Sequence, residues 1–132
     1  MIGDSITTAL YQKALDGTWQ RQKAISNNIA NAETPGYKTL KVSFEDALKS
    51  EVSKIQKNST AANGALQNYK SISDSDISVD TVDTTTSRAD GNNVDLDAEN
   101  VEMSKTVLEY NYLVRGLSDT YSRLKYAIRE GK

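Results

Sequence analysis

The sequence predicts an all-α-dominated fold: two long terminal helices that pair as a coiled coil, with a loop-rich insert between them. Three observations predict it. Near the C-terminus, Met103, Val107, Tyr110, Val114, Leu117, Tyr121, Leu124 and Ile128 recur in steps of 4, 3, 4, 3, 4, 3, 4. That is an unbroken heptad seam, which stays on one face only if the helix supercoils around a partner. Near the N-terminus, Thr8, Tyr11, Leu15, Thr18, Gln22, Ile25, Ile29 and Ala32 form a weaker one with the same alternation. Between them, 23 of the 37 residues from 58 to 94 are Ser, Thr, Asp, Asn or Gly, a composition that buries little and sustains no helical period.

The C-terminal helix is expected over about residues 97–129. Asp95, Asp97, Glu99 and Glu102 crowd its start, and Arg123, Lys125, Arg129 and Lys132 its end. Both sets oppose the helix dipole. Gly116 lies inside it and costs about 1 kcal/mol of helix propensity. Close approach of another backbone is the expected compensation. In the N-terminal helix a second stripe, Ile6 and Leu10, lies away from the first, and Trp19 lies on neither. Apolar positions on more than one face need cover on more than one face, which points to oligomerisation.

The N-terminal helix is expected to stop near Glu33. Thr34 precedes Pro35, and Pro35 with Gly36 suits a type II turn. Asn27, Asn28 and Asn31 sit just before the stop, where Asn is a poor helix former. Their amides can bond the helix end, the returning chain or a neighbouring subunit. Beyond the turn, Phe44, Leu48, Val52 and Ile55 mark a short amphipathic helix, and the alternation of Ile77, Val79 and Thr81 marks one or two strands. The resulting segments are 1–37, 38–94 and 95–132.

Composition excludes much. The chain has 132 residues, with 18 acidic and 16 basic side chains and a net charge of −2. Hydrophobic residues make up 37%, and mean hydropathy is −0.60. With so thin an apolar complement, either part of the chain is extended or its apolar surface is completed by partner chains. The absence of Cys removes disulfides and thiolate sites, and the absence of His removes the usual general base and most transition-metal sites. No catalytic, cofactor or metal residues are expected. A calcium loop at Asp74, Asp76 and Ser78 fails, because Val79 stands where Gly is needed. The near-neutral balance argues against nucleic acid. No run of about 18 apolar residues exists to span a membrane, and no secretory signal is expected at the start. Charge is segregated: residues 1–70 carry net +3, 71–110 net −8 and 111–132 net +3.

The run SNNIANAETPGYK at 26–38 resembles the N-terminal signature of the bacterial flagellar axial proteins, the rod and hook proteins. DGNNVD at 90–95, with LVRGLS at 113–118 and LKYAI at 124–128, is similar to the lead-in and body of the C-terminal helix in the proximal-rod members. The resemblance covers about residues 1–44 and 90–132. Glu33 and Asn100 are its minor departures. It implies a structural subunit of the proximal rod, joining the inner-membrane ring to the distal rod and hook. It also implies a periplasmic rod location after export by the flagellar type III apparatus without signal cleavage. The implied partners are copies of itself, rod proteins of the FlgC, FlgF and FlgG types, the adaptor FliE and the membrane-ring protein FliF. The residues expected at subunit contacts are Tyr11, Leu15, Ile25, Asn28, Ile29, Asn31, Pro35, Gly36 and the eight residues of the C-terminal seam. The alternative is a small soluble helical adaptor or export chaperone that binds a partner helix.

Overall fold

The computed structural model describes residues 2–57, 64–83 and 88–130. Six elements follow in order: α1 (Ile2–Ala30), β1 (Leu40–Ser43), α2 (Glu45–Lys57), α3 (Gly64–Ser73), β2 (Ser78–Thr81) and α4 (Leu96–Glu130). The long helices α1 and α4 lie antiparallel: Tyr11 meets Gly116, Arg21 reaches Glu109, and Asn28 neighbours Glu99. The predicted helical pair is therefore present. At about 1.5 Å per residue the 35-residue α4 runs about 50 Å.

α1 is the central element, touching α4, α3, β1 and α2. Its buried positions are mostly small: Ala9, Ala14, Gly17, Thr18 and Ala24. Small side chains on several faces let several elements approach one helix, which explains why α1 shows little amphipathic pattern. Phe44 fills the space they leave. A Cβ on Gly17 would stand 2.5 Å from the Phe44 ring, so only glycine fits there. Ala14, Ala24, Val42 and Phe44 form the core, with Leu40, Leu48, Ile77 and Leu113 packed on it.

The short helix begun at Phe44 is α2, as predicted, and the alternating run from Ile77 is β2. β2 pairs antiparallel with β1, Leu40 opposite Thr81 and Ser43 opposite Ser78. The reading of 58–94 as loop needs correction at α3. Polar composition hid a ten-residue helix whose inner face carries Asn68 and the fully buried Ile72. It is held by the nearly buried Glu51 of α2, which accepts from Ser71 Oγ at 2.5 Å. Lys13 of α1 also donates to the last carbonyl of α3, Ser73 O, at 3.1 Å. β2 itself is exposed throughout.

Gly116 also departs from expectation. What approaches it is the Tyr11 side chain, not a backbone: an added Cβ would lie 2.5 Å from the phenol oxygen and 2.7 Å from the ring carbons. Gly116→Ala gains about 1 kcal/mol of helix propensity and loses more to overpacking. We expect it to lower the Tm, and Gly116→Ala with Tyr11→Phe to recover part of the loss. A Tm raised by Gly116→Ala alone would refute this contact.

Candidate functional site: a clasp and an uncovered seam

The two sequence signatures, about 60 residues apart, meet at one end of the helical pair and bond to each other. Asn28 is wholly buried. Its Nδ2 donates to Leu40 O at 2.9 Å, while its Oδ1 accepts from Leu40 N at 2.8 Å and from Tyr37 Oη at 3.1 Å. One Asn thus pairs with β1 as a neighbouring strand would. Arg21 continues that edge by donating to Val42 O at 3.2 Å. The β1 edge is covered by α1 side chains and closed to other strands.

Asn92, also wholly buried, donates through Nδ2 to Asn31 O and Thr34 O, both at 2.9 Å, and accepts from Val94 N at 2.8 Å. Asn93 accepts from Thr39 N at 2.7 Å and donates to Val82 O at 2.7 Å. Gly36 N donates to Asp90 O at 2.8 Å. Arg88 donates to Ala32 O and Asp90, and forms an ion pair with Glu33 at 3.6 Å. Gly36 and Gly91 both have positive φ, 73° and 76°, and stand face to face. Gly36 is the third residue of the turn closed by Tyr37 N to Thr34 O, the type II arrangement expected from Pro35-Gly36. Asp95 then caps α4, its Oδ1 accepting from the amides of Asp97 and Ala98.

Arg21 ties the other elements together. It pairs with Glu45 of α2, with Glu109 of α4 at 3.3 Å, and stacks over Phe44 at 4.7 Å. Burial raises the Glu45 carboxyl, but the hydrogen bonds from Arg21 and from the amides of Glu45 and Phe44, with the Arg21 charge, together outweigh it and hold it below the usual range. Glu109 shares that cation with Glu45 and is pushed up, first by burial. Glu99, beside Asn28, is likewise raised, by burial and then by Glu102 and Asp95, against the hydrogen bond from Asn28.

A carboxyl raised in the fold binds its proton more tightly than in the unfolded chain. Its stabilising share is complete below the unfolded value, near pH 4.3, and is lost as pH rises through the folded value. Glu99→Gln should therefore raise the Tm at pH 7 and leave it unchanged at pH 4. A lower Tm at pH 7 would show that the charge stabilises the fold.

The expected contact residues divide between the clasp and the helical pair. Asn28 and Asn31 belong to the clasp, with Pro35 and Gly36 exposed on its turn. Ile25 is buried and Tyr11, Leu15 and Ile29 are half-buried. α4 turns a face to α1 that is offset from the heptad seam. In heptad letters, with Val107 as a, the inward residues are Thr106 and Leu113 at g, Gly116 at c, and Leu117 and Leu124 at d. Every a position faces outward: Val107 and Val114 are 41% exposed, Tyr121 49% and Ile128 60%. Tyr110 is 44% exposed, while Met103, Leu117 and Leu124 are half-buried. The expected packing of this seam on α1 therefore holds for the d positions Leu117 and Leu124 and is corrected for the a positions. Small or polar c and g positions let α1 pack there, and the bulkier a positions are left over. Trp19 is 60% exposed, with Lys23 over its ring.

Sequence reasoning missed Arg21 and Phe44 as organisers. The chain's first Arg, with no other before Arg88, standing 23 positions before its single Phe, was the available signal for both. Among the described residues there is no cluster of metal-ligating side chains, and no helix is long and apolar enough to cross a membrane.

Two end helices locked by a buried Asn clasp, with an apolar row left uncovered, define a structural helical subunit with a surface left for assembly. A sequence model of the family described as flagella basal body rod protein matches residues 12–38, the second half of α1 and its turn. The chain is 34% identical to the flagellar basal body rod protein FlgB of Bacillus subtilis, over 92% of both chains. It is 31% identical to that of Salmonella typhimurium, over 86% of this chain and 84% of the relative. With the Escherichia coli protein it shares 26% over 97% and 98%. The chain belongs to the FlgB family of flagellar basal body rod proteins.

Proposed function

We propose that this protein is a subunit of the proximal rod, joining the inner-membrane ring to the distal rod and hook and carrying torque between them. Segments 1–37 and 95–132 form its axial body and 38–94 the insert. It assembles with copies of itself and with rod proteins of the FlgC, FlgF and FlgG types, the adaptor FliE and the ring protein FliF. It reaches the periplasmic rod through the flagellar type III apparatus. The observation that carries the reading is the outward row of a positions on α4. Covering it gains about 25 cal/mol per Å² of apolar area, so the free chain is incomplete and assembly completes it. A shaft also needs stiff elements locked side by side, which the clasp and Arg21 supply.

Size-exclusion chromatography with circular dichroism tests this. The purified chain should be monomeric at micromolar concentration and melt over a broad, low range. A sharply melting discrete dimer would instead fit an adaptor or chaperone.

A further inference from the structure

The ribbon of β1 and β2 has one closed edge and one open one. In an antiparallel pair, backbone groups point alternately to the partner strand and away from it. Val82 N donates to Thr39 O at 2.8 Å, so the next pair in, Leu40 and Thr81, turns its N–H and C=O groups outward. The clasp shows the same phase on the β1 side, where Asn28 bonds both backbone groups of Leu40 and Arg21 bonds Val42 O. Opposite Leu40 and Val42 stand Thr81 and Val79. Their N–H and C=O groups, two donors and two acceptors, therefore line the outer edge of β2. All four residues of β2 are exposed, and no side chain bonds Val79 or Thr81 among the described residues.

This edge is held in place. A two-stranded ribbon alone is marginal in water. Here Asn93 bonds both Thr39 and Val82, and Ile77 packs on the core just before β2. An incoming strand meets four backbone groups already positioned, so little ordering entropy is lost on binding.

Charge selects the kind of strand. Residues 71–83 hold four Asp and no Lys or Arg. Asp74, Asp76 and Asp80 are exposed without an ion pair among the described residues, whereas Asp83 pairs with Lys38 at 3.6 Å. A second copy of β2 fits poorly. The antiparallel register that satisfies all four groups sets Asp80 against its own counterpart in the close position, where like charges repel. A strand with Lys or Arg opposite Asp80 turns that repulsion into attraction. On the other face, Val79 is 50% exposed beside the buried Val42 and offers apolar area to the alternate side chains.

We propose that the outer edge of β2 is a docking site for an extended, basic segment of another protein, which adds to the ribbon as a third strand. The backbone of Val79 and Thr81 supplies the hydrogen bonds, and Asp80 faces the incoming cations. The site lies apart from the clasp and from the outward row of α4, and it does not rest on the rod-subunit reading.

Amide exchange of the full, isotope-labelled chain, followed by NMR well below its melting range, tests this. The probes are the end-capped peptides Lys-Val-Lys-Val-Lys and Glu-Val-Glu-Val-Glu. The basic peptide should slow exchange at Val79 and Thr81 by about tenfold when present at about ten times its Kd. Ser78 and Asp80, whose amides face β1, should not respond, and the acidic peptide should have no effect. Val79→Pro removes an outward donor, a change that edge strands tolerate, and should abolish the protection. Asp80→Lys, an exposed change that leaves every backbone group in place, should weaken binding of the basic peptide by about fivefold. No protection by the basic peptide would show a short acidic edge that only keeps strands away. Equal protection by both peptides, or undiminished binding to Asp80→Lys, would remove the charge selection. Protection of Val79 and Thr81 that grows with protein concentration and needs no peptide would make a second copy the occupant. Each of these results overturns the proposal.

Discussion

Replacing Leu117 with Asp should abolish incorporation into rods while leaving the protein made and delivered. Leu117 holds a d position, half-buried beside Gly116 where α4 meets Tyr11 of α1, and it borders the groove on the outward flank. The substitution damages two contacts at once. Truncating a buried Leu costs about 2–5 kcal/mol, and an unpaired carboxylate in a dry contact costs more. Natural domains hold only about 5–15 kcal/mol in reserve. The same Asp at Ser118, one residue along and exposed, should be far milder. Swimming in soft agar and immunoblots of cell fractions separate delivery from incorporation. Normal swimming of Leu117→Asp would remove the α4 contact from this account.

Asn92→Ala should be the most damaging single change to the clasp. It deletes two donors and one acceptor from a fully buried site: Val94 N loses its partner, while Asn31 O and Thr34 O each lose one of two, keeping the amides of Thr34 and Tyr37. The unsatisfied Val94 N costs about 1–3 kcal/mol and each of the two other lost hydrogen bonds about 0.5–1.5 kcal/mol, so a loss of about 2–6 kcal/mol follows. Asn92→Asp keeps the acceptor but removes both donors and should be nearly as harmful. Hydrogen exchange would show the loss at Val94 and at the amides of Thr34, Gly36 and Tyr37 first. A Tm within two degrees of the parent would mean that water replaces the side chain.

Much of this architecture is legible in the sequence because it rests on local rules. The period of α4, the Pro35-Gly36 turn, the acid-rich start and the alternation at Ile77 are each set by neighbours a few residues away. What resisted reading depends on partners far along the chain. α3 looks like loop because its polar composition is satisfied by Glu51 and Lys13 rather than by water. Nothing local marks Arg21, whose partners lie 21 to 88 residues further on. The face that α4 turns to α1 was mistaken because the strongest apolar period is not the one the monomer buries. Thr106, Leu113 and Gly116 present a flatter surface, which suits the close approach of α1. The clasp lay between: its Asn residues stood out as poor helix formers, but their partners emerged only when the two signatures met in space.

Electron microscopy of basal bodies from cells deleted for this chain, and from the same cells with it restored, tests the central claim most directly. Membrane rings without rods in the deletion, and complete rods with α1–α4 density next to the inner-membrane ring on restoration, are the predicted result. Complete rods in its absence would contradict it.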